Sequence, residues 1–342
     1  MMLKEKFGLR CITWGLGESL EDRKNDASIA KALAHQFNVR YEYFETDFSE
    51  GSVKNVLNRY LIAGEGRVDF ITGYMDGFKI WKTLFEANIE GIIRGDEGFG
   101  WRACNTPFDV MRAIGILRLS DYSNLTGCFE HELPEQILPQ GLGRREGESI
   151  ASWRDRLYHE CRIPLILSAM NDLKSPYVEI VNPLLSRTLI ECVRTQPDNL
   201  RTDKKLFKEI ISADSPEIDF STRQATDSLN NIFRNKGLVE FISGELSSSD
   251  SKRHLPSKLD NLIMESLVVP KIHARTGNEL SAVRQLFPKH LRRVVRTLLK
   301  RDRNYKMDIY RLAFRAFIVV KMCQMLEKDA KMFLTTVQAE SH

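Results

Sequence analysis

The sequence lacks the features that mark several large classes of protein. Its six cysteines are widely scattered and include no Cys-x-x-Cys pair, a pattern that argues against a structural zinc site or a disulfide scaffold and favours reduced thiols. No apolar run reaches the roughly 18 residues of a membrane span, and the first residues, MMLKEKFGLRCITWG, contain no apolar core of a secretory signal. We therefore expect a cytoplasmic protein that does not cross a membrane.

The sequence also lacks a charge imbalance that would point to a partner. Its 342 residues include 50 lysines and arginines against 46 aspartates and glutamates, which gives a formal net charge of +4. The hydrophobic fraction of 42% is ordinary for a globular protein and predicts a sizeable core. A chain of this length has room for two domains, or for one large domain with an appendage.

Strand-like and helix-like patterns alternate along the first hundred residues. The stretches GLRCITWG, VRYEYFETD and IEGIIRG are typical of strands, whereas LEDRKNDASIAKALAHQF, VKNVLNRYLIAG and FITGYMDGFKIWKTLFEA carry apolar residues at helical spacing. This alternation predicts an α/β fold with a doubly wound parallel sheet. Such sheets bind ligands at the carboxyl ends of their strands, where the turns at Gly15 and Asp96 would both lie.

From about residue 107 onward the pattern is mostly helical. The serine-rich, charged stretch 247–258 has no apolar pattern and is predicted to be a loop or linker. It would divide an α/β domain, 1–246, from a helical C-terminal region, 259–342. Within that region the stretch LAFRAFIVVKMCQML is predicted to be a core helix, because two basic residues interrupt its apolar run.

A dense basic run, RQLFPKHLRRVVRTLLKRDRNYK, occupies residues 284–306. A basic helix of this kind can bind nucleic acid or an anionic membrane surface. The alternative is a solvated helix face, because leucines and valines in the run form an apolar stripe that would be buried. No nucleic-acid-binding motif accompanies the run, so nucleic-acid binding is the weaker hypothesis.

Three short stretches carry residue types suited to chemistry. The stretch GIIRGDEGFGWR holds Asp96 and Glu97 in a glycine-rich turn after a predicted strand, VEIVNPLL contains Glu179, and TDKKLFKEII places Lys204 near the start of an amphipathic helix. Each stretch has an ordinary structural explanation as well. The acidic pair could form a polar turn, Glu179 could cap a helix or form an ion pair, and the lysines could be solvated.

In this order, the three stretches resemble the synthetase domain of the asparagine synthetase family, a branch of the ATP-pyrophosphatase (PP-loop) fold. That family has a turn of the type S-G-x-G-x-D-E-x-F-G-G-Y, and its second half is similar to residues 95–101 of this chain. The stretch with Glu179 is similar to the motif E-x-R-x-P-F-L-D. The stretch DKKLFKEI resembles the element K-x-x-L-R, with Lys204 in the lysine place and Lys208 in the arginine place. The resemblance covers roughly residues 8–240.

The resemblance implies a ligase that uses ATP and Mg²⁺. The family transfers AMP from ATP to a carboxylate, releases pyrophosphate, and then lets an amine or ammonia attack the acyl-adenylate. Asp96 and Glu97 would bind Mg²⁺, and Lys204 would stabilise developing negative charge. Glu179 would orient or deprotonate the amine, or fix the substrate.

The resemblance also implies where the nucleotide would lie. The adenine would lie near Trp14 and Gly15 at the end of the first strand, with Gly95 and Lys208 also binding the nucleotide. Arg94 has two interpretations: it could bind phosphate, or it could be a surface residue that pairs with Glu97.

The chain departs from the family pattern at several points. It contains no S-G-G-x-D-S loop, which in the family cradles the pyrophosphate, and it begins at the family's second strand. The arginine of E-x-R-x-P is replaced by Val181, and the aspartate after P-F-L by Ser186. The sequence has no stretch that resembles the family's glutaminase domain with its N-terminal cysteine, so we expect the nitrogen to come from ammonia, another protein or the substrate itself.

Three hypotheses follow. In the first, the chain is an amide-forming enzyme whose first β-α unit was cut off or lies on a second chain, which could also supply a glutaminase. In the second, it is a catalytically inactive relative that acts as a scaffold or binding subunit. In the third, residues 284–306 bind nucleic acid. The first hypothesis predicts a small carboxylate and an amine or ammonia as substrates.

Overall fold

The computed structural model describes residues 9–48, 53–99, 102–125, 128, 136–214, 219–270 and 305–340. The chain divides into two compact units. Unit 1 consists of residues 1–117 and 137–227, and unit 2 of residues 118–136 and 228–342.

The division falls earlier than the predicted boundary between residues 246 and 247. The reason is that the helices Leu229–Phe233 and Lys236–Leu246 pack against the long helix Ile309–Glu340. The rings of Phe233 and Phe314, for example, lie with their centroids 5.0 Å apart. These helices therefore belong to the core of unit 2.

Unit 1 is an α/β structure in which helices predominate. Within its described residues, four strands form two parallel pairs, β1 with β2 and β3 with β4. The α/β class agrees with the sequence prediction, but the described residues do not show a continuous doubly wound sheet. The strands are β1 (Arg10–Gly15), β2 (Arg40–Glu45), β3 (Gly91–Ile93) and β4 (Glu179–Val181).

Nine α-helices of unit 1 lie within the described residues. They are α1 (Asp26–Gln36), α2 (Val53–Gly64), α3 (Lys79–Glu86), α4 (Pro107–Ile114), α5 (Ile150–Leu157), α6 (Ser168–Asp172), α7 (Arg187–Arg194), α8 (Asp198–Arg201) and α9 (Lys205–Asp214). A π-helix, Tyr158–Leu167, continues the chain from α5 to α6. Short 3₁₀ turns cover Gly17–Glu21, Gln140–Leu142, Pro183–Leu185 and Thr202–Lys204.

The described part of unit 2 is helical. It contains α10 (Leu229–Phe233), α11 (Lys236–Leu246), α12 (Ser249–Lys252), α13 (Ser257–Ser266), α14 (Ile309–Glu340) and a 3₁₀ turn at Leu119–Asp121. The stretch LAFRAFIVVKMCQML lies in α14, and its buried residues, among them Phe314 and Phe317, contribute to the core of unit 2. No helix in the described part of the chain is long and apolar enough to span a membrane.

Two local predictions differ from the structure. The helix expected over FITGYMDGFKIWKTLFEA begins only at Lys79, because Gly73, Gly77 and Phe78 have positive φ angles of 83°, 83° and 63° that a right-handed helix excludes. The predicted loop 247–258 contains α12, which the Ser248 side chain caps by accepting a hydrogen bond from the Ser251 amide.

The basic run 284–306 lies almost entirely outside the described residues. Only Tyr305 and Lys306 of that run are described. The hypothesis that the run binds nucleic acid therefore stays a prediction from the sequence.

Candidate functional site

A cleft of about 670 Å³ opens in unit 1 where β1 and β3 end. Trp14 contributes from the end of β1, and Arg94, Gly95 and Asp96 contribute from the turn after β3. Lys174, which follows α6, lines the cleft as well. Four of the residues that the sequence assigned to the site therefore share one cavity: Trp14, Arg94, Gly95 and Asp96.

Gly15 acts through its backbone. A Cβ atom at this position would lie 2.4 Å from the carbonyl oxygen of Ala225, which is closer than real Cβ contacts come. The amide of Leu16 donates a hydrogen bond of 2.9 Å to the same oxygen. The glycine thus lets the segment around Ala225 pack directly on the end of β1, next to the cleft.

Arg94 pairs with Asp96 rather than with Glu97. Its Nε and Nη2 atoms donate hydrogen bonds of 3.1 Å and 3.2 Å to the two carboxylate oxygens of Asp96. Its guanidinium carbon lies 5.3 Å from the centre of the Trp14 ring. The carboxylate that the sequence assigned to magnesium is therefore engaged by a cation of its own turn.

Glu97 and Lys204 form an ion pair, although they are far apart in the sequence. Both side chains are about one-quarter to one-third exposed, and neither is among the residues that line the cleft. Lys204 and the preceding Asp203 both have left-handed backbone conformations, with φ angles of 57° and 56°. Such conformations cost non-glycine residues free energy and cluster at functional positions.

The π-helix holds the acidic turn in place. Tyr158 donates a hydrogen bond of 3.1 Å to the carbonyl oxygen of Glu97, and His159 Nε2 lies 2.5 Å from that of Gly98. The Nε atom of Arg194 donates to His159 Nδ1 over 3.0 Å, so Nε2 carries the proton and donates to Gly98. Burial lowers the pKa of the His159 ring below its usual value, which agrees with a neutral ring.

A buried ionic network supports the segment that leads to Lys204. Asp155 accepts hydrogen bonds of 2.8 Å from Arg154 and from Arg201, and all three side chains are almost fully buried. Arg154 also donates to the carbonyl oxygen of Arg102, just beyond the acidic turn. The network therefore ties both segments of the Glu97–Lys204 pair to α5.

Lys174 is a site residue that the sequence analysis missed. The residue is 4% exposed, and its ammonium group lies 5.9 Å from the centre of the Trp81 ring. Its hydrogen bond to Asn171 Oδ1, at 3.4 Å, is long. Burial, with a smaller contribution from Arg94, lowers the pKa of Lys174 from 10.5 to about 7.

Polar atoms without partners collect in the same cleft. Within the described residues, Thr72 Oγ1, Trp81 Nε1 and Arg94 Nη1 are buried and have no hydrogen-bond partner. All three residues line the cleft. Because most buried polar groups are hydrogen-bonded in folded proteins, these three atoms are candidates for contact with a ligand or with water.

Two residues that the sequence assigned to the site lie elsewhere. Glu179 is exposed and stands opposite Gly91, at the start of β4 and away from the strand end that faces the cleft. Lys208 is exposed on α9, where its ammonium group lies 5.8 Å from the centre of the Phe220 ring. Neither residue lines the cleft.

The side chains present do not form a magnesium site by themselves. Within the described residues, no group of three or more His, Cys, Asp or Glu side chains is placed to hold a metal ion. Asp96 and Glu97 are each paired with a basic side chain, Arg94 and Lys204. Magnesium would have to displace these cations from its carboxylate ligands.

No family model, curated protein or solved structure matches the chain. The resemblance to the asparagine synthetase family therefore rests on the sequence motifs.

Proposed function

We propose that the chain is an asparagine-synthetase-like ligase built on a PP-loop type of α/β fold. Such a ligase forms an amide bond in two steps. A carboxylate oxygen attacks the α-phosphorus of ATP and pyrophosphate leaves, and the nitrogen of an amine or ammonia then attacks the acyl carbon and AMP leaves.

The observation that supports this proposal best is the pairing of Glu97 with Lys204. These residues come from two of the three stretches that carry the resemblance, and they meet although many elements separate them in the sequence. The turn that contains Glu97 also supplies Arg94 and Asp96 to the cleft at the end of β1.

The dimensions and lining of the cleft suit small substrates. Its volume of about 670 Å³ falls in the range of ligand pockets, about 300–1,000 Å³. Trp14 offers an aromatic face for a planar base, and Arg94 offers a guanidinium group for phosphate. Lys204 brings a fixed positive charge to the edge of the acidic turn, where charge would develop on departing pyrophosphate.

A second candidate function is ligand binding without catalysis. The pairing of Arg94 with Asp96 favours it, because this contact occupies a carboxylate that the ligase reaction would use for magnesium. A subunit of this kind would bind a nucleotide or a carboxylate but would form no AMP.

The two functions can be separated by measuring AMP and pyrophosphate. The chain would be incubated with ATP, MgCl₂, ammonium and a panel of carboxylic acids that includes L-aspartate, both alone and together with a polypeptide that supplies the S-G-G-x-D-S segment absent from this sequence. Carboxylate-dependent formation of AMP is expected from the ligase, with Lys204→Met at least a hundredfold slower and the adjacent Lys205→Met unchanged. Nucleotide binding without AMP would favour the binding subunit. If the protein neither binds a nucleotide nor forms AMP, both functions are refuted.

A further inference from the structure

The inner wall of the cleft consists of Thr72, Trp81, Arg94 and Lys174. We propose that this inner wall binds an anionic oxygen group of a small ligand, either a carboxylate or a phosphate. The inference takes the cleft to be the substrate site of the proposed function and in that sense rests on it. It names the group by which the substrate would be held.

The polar atoms of the inner wall are mainly hydrogen-bond donors. The indole nitrogen of Trp81 and the guanidinium nitrogens of Arg94 can only donate hydrogen bonds, and so can the ammonium group of Lys174. Trp81 is 1% exposed and Thr72 is 6% exposed. Three of the four residues can only donate hydrogen bonds from these groups, and the Thr72 hydroxyl can donate or accept. A ligand that accepts several hydrogen bonds would therefore match this wall.

Two cations and two aromatic rings lie side by side in the cleft. The rings of Trp14 and Trp81 meet edge to face, with their centres 5.5 Å apart. Arg94 lies 5.3 Å from the centre of the first ring, and Lys174 lies 5.9 Å from the centre of the second. The two cations therefore flank a pair of aromatic rings, which places apolar surface beside the charged groups.

The charges of the inner wall also favour an anion. Arg94 uses Nε and Nη2 to hold Asp96, which leaves Nη1 for a ligand. Lys174 is buried and has a single long hydrogen bond. The acidic group that acts on its charge is Asp96, which is already paired with Arg94. An anion beside Lys174 would supply a counter-ion, whereas a cation or an uncharged apolar ligand would leave the donors unsatisfied.

Isothermal titration calorimetry in the absence of magnesium would test the proposal by measuring the equilibrium binding of small anions. The probes are sodium pyrophosphate, ATP, L-aspartate and sodium benzoate. We expect the parent protein to bind at least one probe, and Lys174→Met and Trp81→Phe each to bind it at least tenfold more weakly. Trp81→Phe removes the indole donor and keeps an aromatic ring. Lys174→Arg should retain binding within about threefold.

Lys31→Met is the matched control, because Lys31 is exposed on α1 and does not line the cleft. Tighter binding of aspartate or benzoate would identify the group as a carboxylate, and tighter binding of pyrophosphate or ATP would identify it as a phosphate. Either result supports the inner wall as an anion site. The proposal is overturned if no probe binds, or if Lys174→Met and Trp81→Phe bind as tightly as the parent.

The outcome is separable from that of the proposed function. A protein that binds a probe through the inner wall but forms no AMP retains the anion site and loses the ligase. A protein that forms AMP while Lys174→Met keeps full substrate affinity and rate retains the ligase and loses the anion site.

Discussion

Arg94 donates hydrogen bonds to both carboxylate oxygens of Asp96, from Nε over 3.1 Å and from Nη2 over 3.2 Å. The two residues are separated by Gly95 alone, so the contact closes a small loop at the end of β3. Because a bidentate guanidinium occupies the carboxylate oxygens that a metal ion would need, Arg94 would compete with a magnesium ion for Asp96.

Removing the guanidinium group should therefore increase magnesium binding. We expect Arg94→Met to bind Mg²⁺ about fivefold more tightly than the parent, since a partly exposed ion pair of this kind contributes about 1 kcal/mol. Titration calorimetry with MgCl₂ would measure the change. Arg102→Met, at an exposed position beyond the same turn, is the control. Equal affinities of Arg94→Met and the parent would contradict the competition.

Lys174 should lower the free energy of unfolding at every pH at which this lysine is protonated in the unfolded chain. Its pKa is about 7 in the folded protein against 10.5 otherwise, so the unfolded chain binds more protons between these values. The stability of the parent should therefore rise with pH through that window. At pH 6 we expect Lys174→Met to be more stable than the parent by about 1–3 kcal/mol.

Urea unfolding at pH 6, 8 and 10 would measure this effect. The advantage of Lys174→Met should shrink as the pH rises, whereas Lys31→Met should follow the parent at every pH. A methionine variant that is less stable than the parent at pH 6 would show that Lys174 serves the fold instead of a ligand.

Anion binding in the cleft should depend on pH through the same lysine. The groups that act on its charge are Arg94 and Asp96, while Tyr74, whose pKa burial raises well above its usual value, stays neutral. Below pH 7 Lys174 is protonated and binds the anion directly. Above pH 7 binding requires proton uptake, so affinity should fall by up to about tenfold per pH unit.

Calorimetric titrations of the better carboxylate probe, L-aspartate or benzoate, between pH 6 and pH 9 would check this prediction, because its carboxylate stays ionised across this range. Lys174→Arg should lose the pH dependence, because a guanidinium group stays charged across the range. A parent protein with pH-independent affinity would refute the role of Lys174 in the binding.

The buried network around Asp155 should be sensitive to the loss of its acid. Asp155→Ala would leave Arg154 and Arg201 buried without the carboxylate that they share, and we expect a loss of about 3–5 kcal/mol in unfolding free energy. Chemical denaturation would measure the loss, with the exposed Glu86→Ala as the control. A change below about 1 kcal/mol would mean that solvent reaches the network.

The close contact at Gly15 makes a further prediction. Gly15→Ala would place a methyl group 2.4 Å from the carbonyl oxygen of Ala225, so the protein should lose about 1–3 kcal/mol of stability. Gly244→Ala is the matched control, because nothing lies within 4 Å of a Cβ at that helical position and alanine favours helices. Thermal unfolding should lower the Tm of the first variant and leave or raise that of the second.

Much of unit 1 could be predicted from local sequence patterns. β1, α1, β2 and α2 follow stretches in which apolar residues recur with the period of one element type. The start of α3 could not be predicted as easily, because its apolar spacing continues through Gly73 and Gly77, whose positive φ angles break the helix. The pairing of the strands is non-local, and the order of the elements suggested a larger sheet than the described residues contain.

The site could be predicted in part for a similar reason. The turn around Asp96 and the position of Lys204 follow motifs that are short and continuous in the sequence. Lys174 could not be found in this way, because a lysine in the stretch NDLKSPY has the pattern of a solvated residue. Its burial depends on contacts with residues that are far away in the sequence, such as Trp81 of α3.

The left-handed backbone at Asp203 and Lys204 carries a cost that the chain could avoid. A glycine at position 203 would adopt this conformation without a steric penalty and would lower the energy of the folded state. The same glycine would make the backbone between α8 and α9 more flexible, so Lys204 would adopt more orientations relative to Glu97. With aspartate at position 203 the backbone is more restricted than it would be with glycine, and Lys204 has fewer orientations available relative to Glu97.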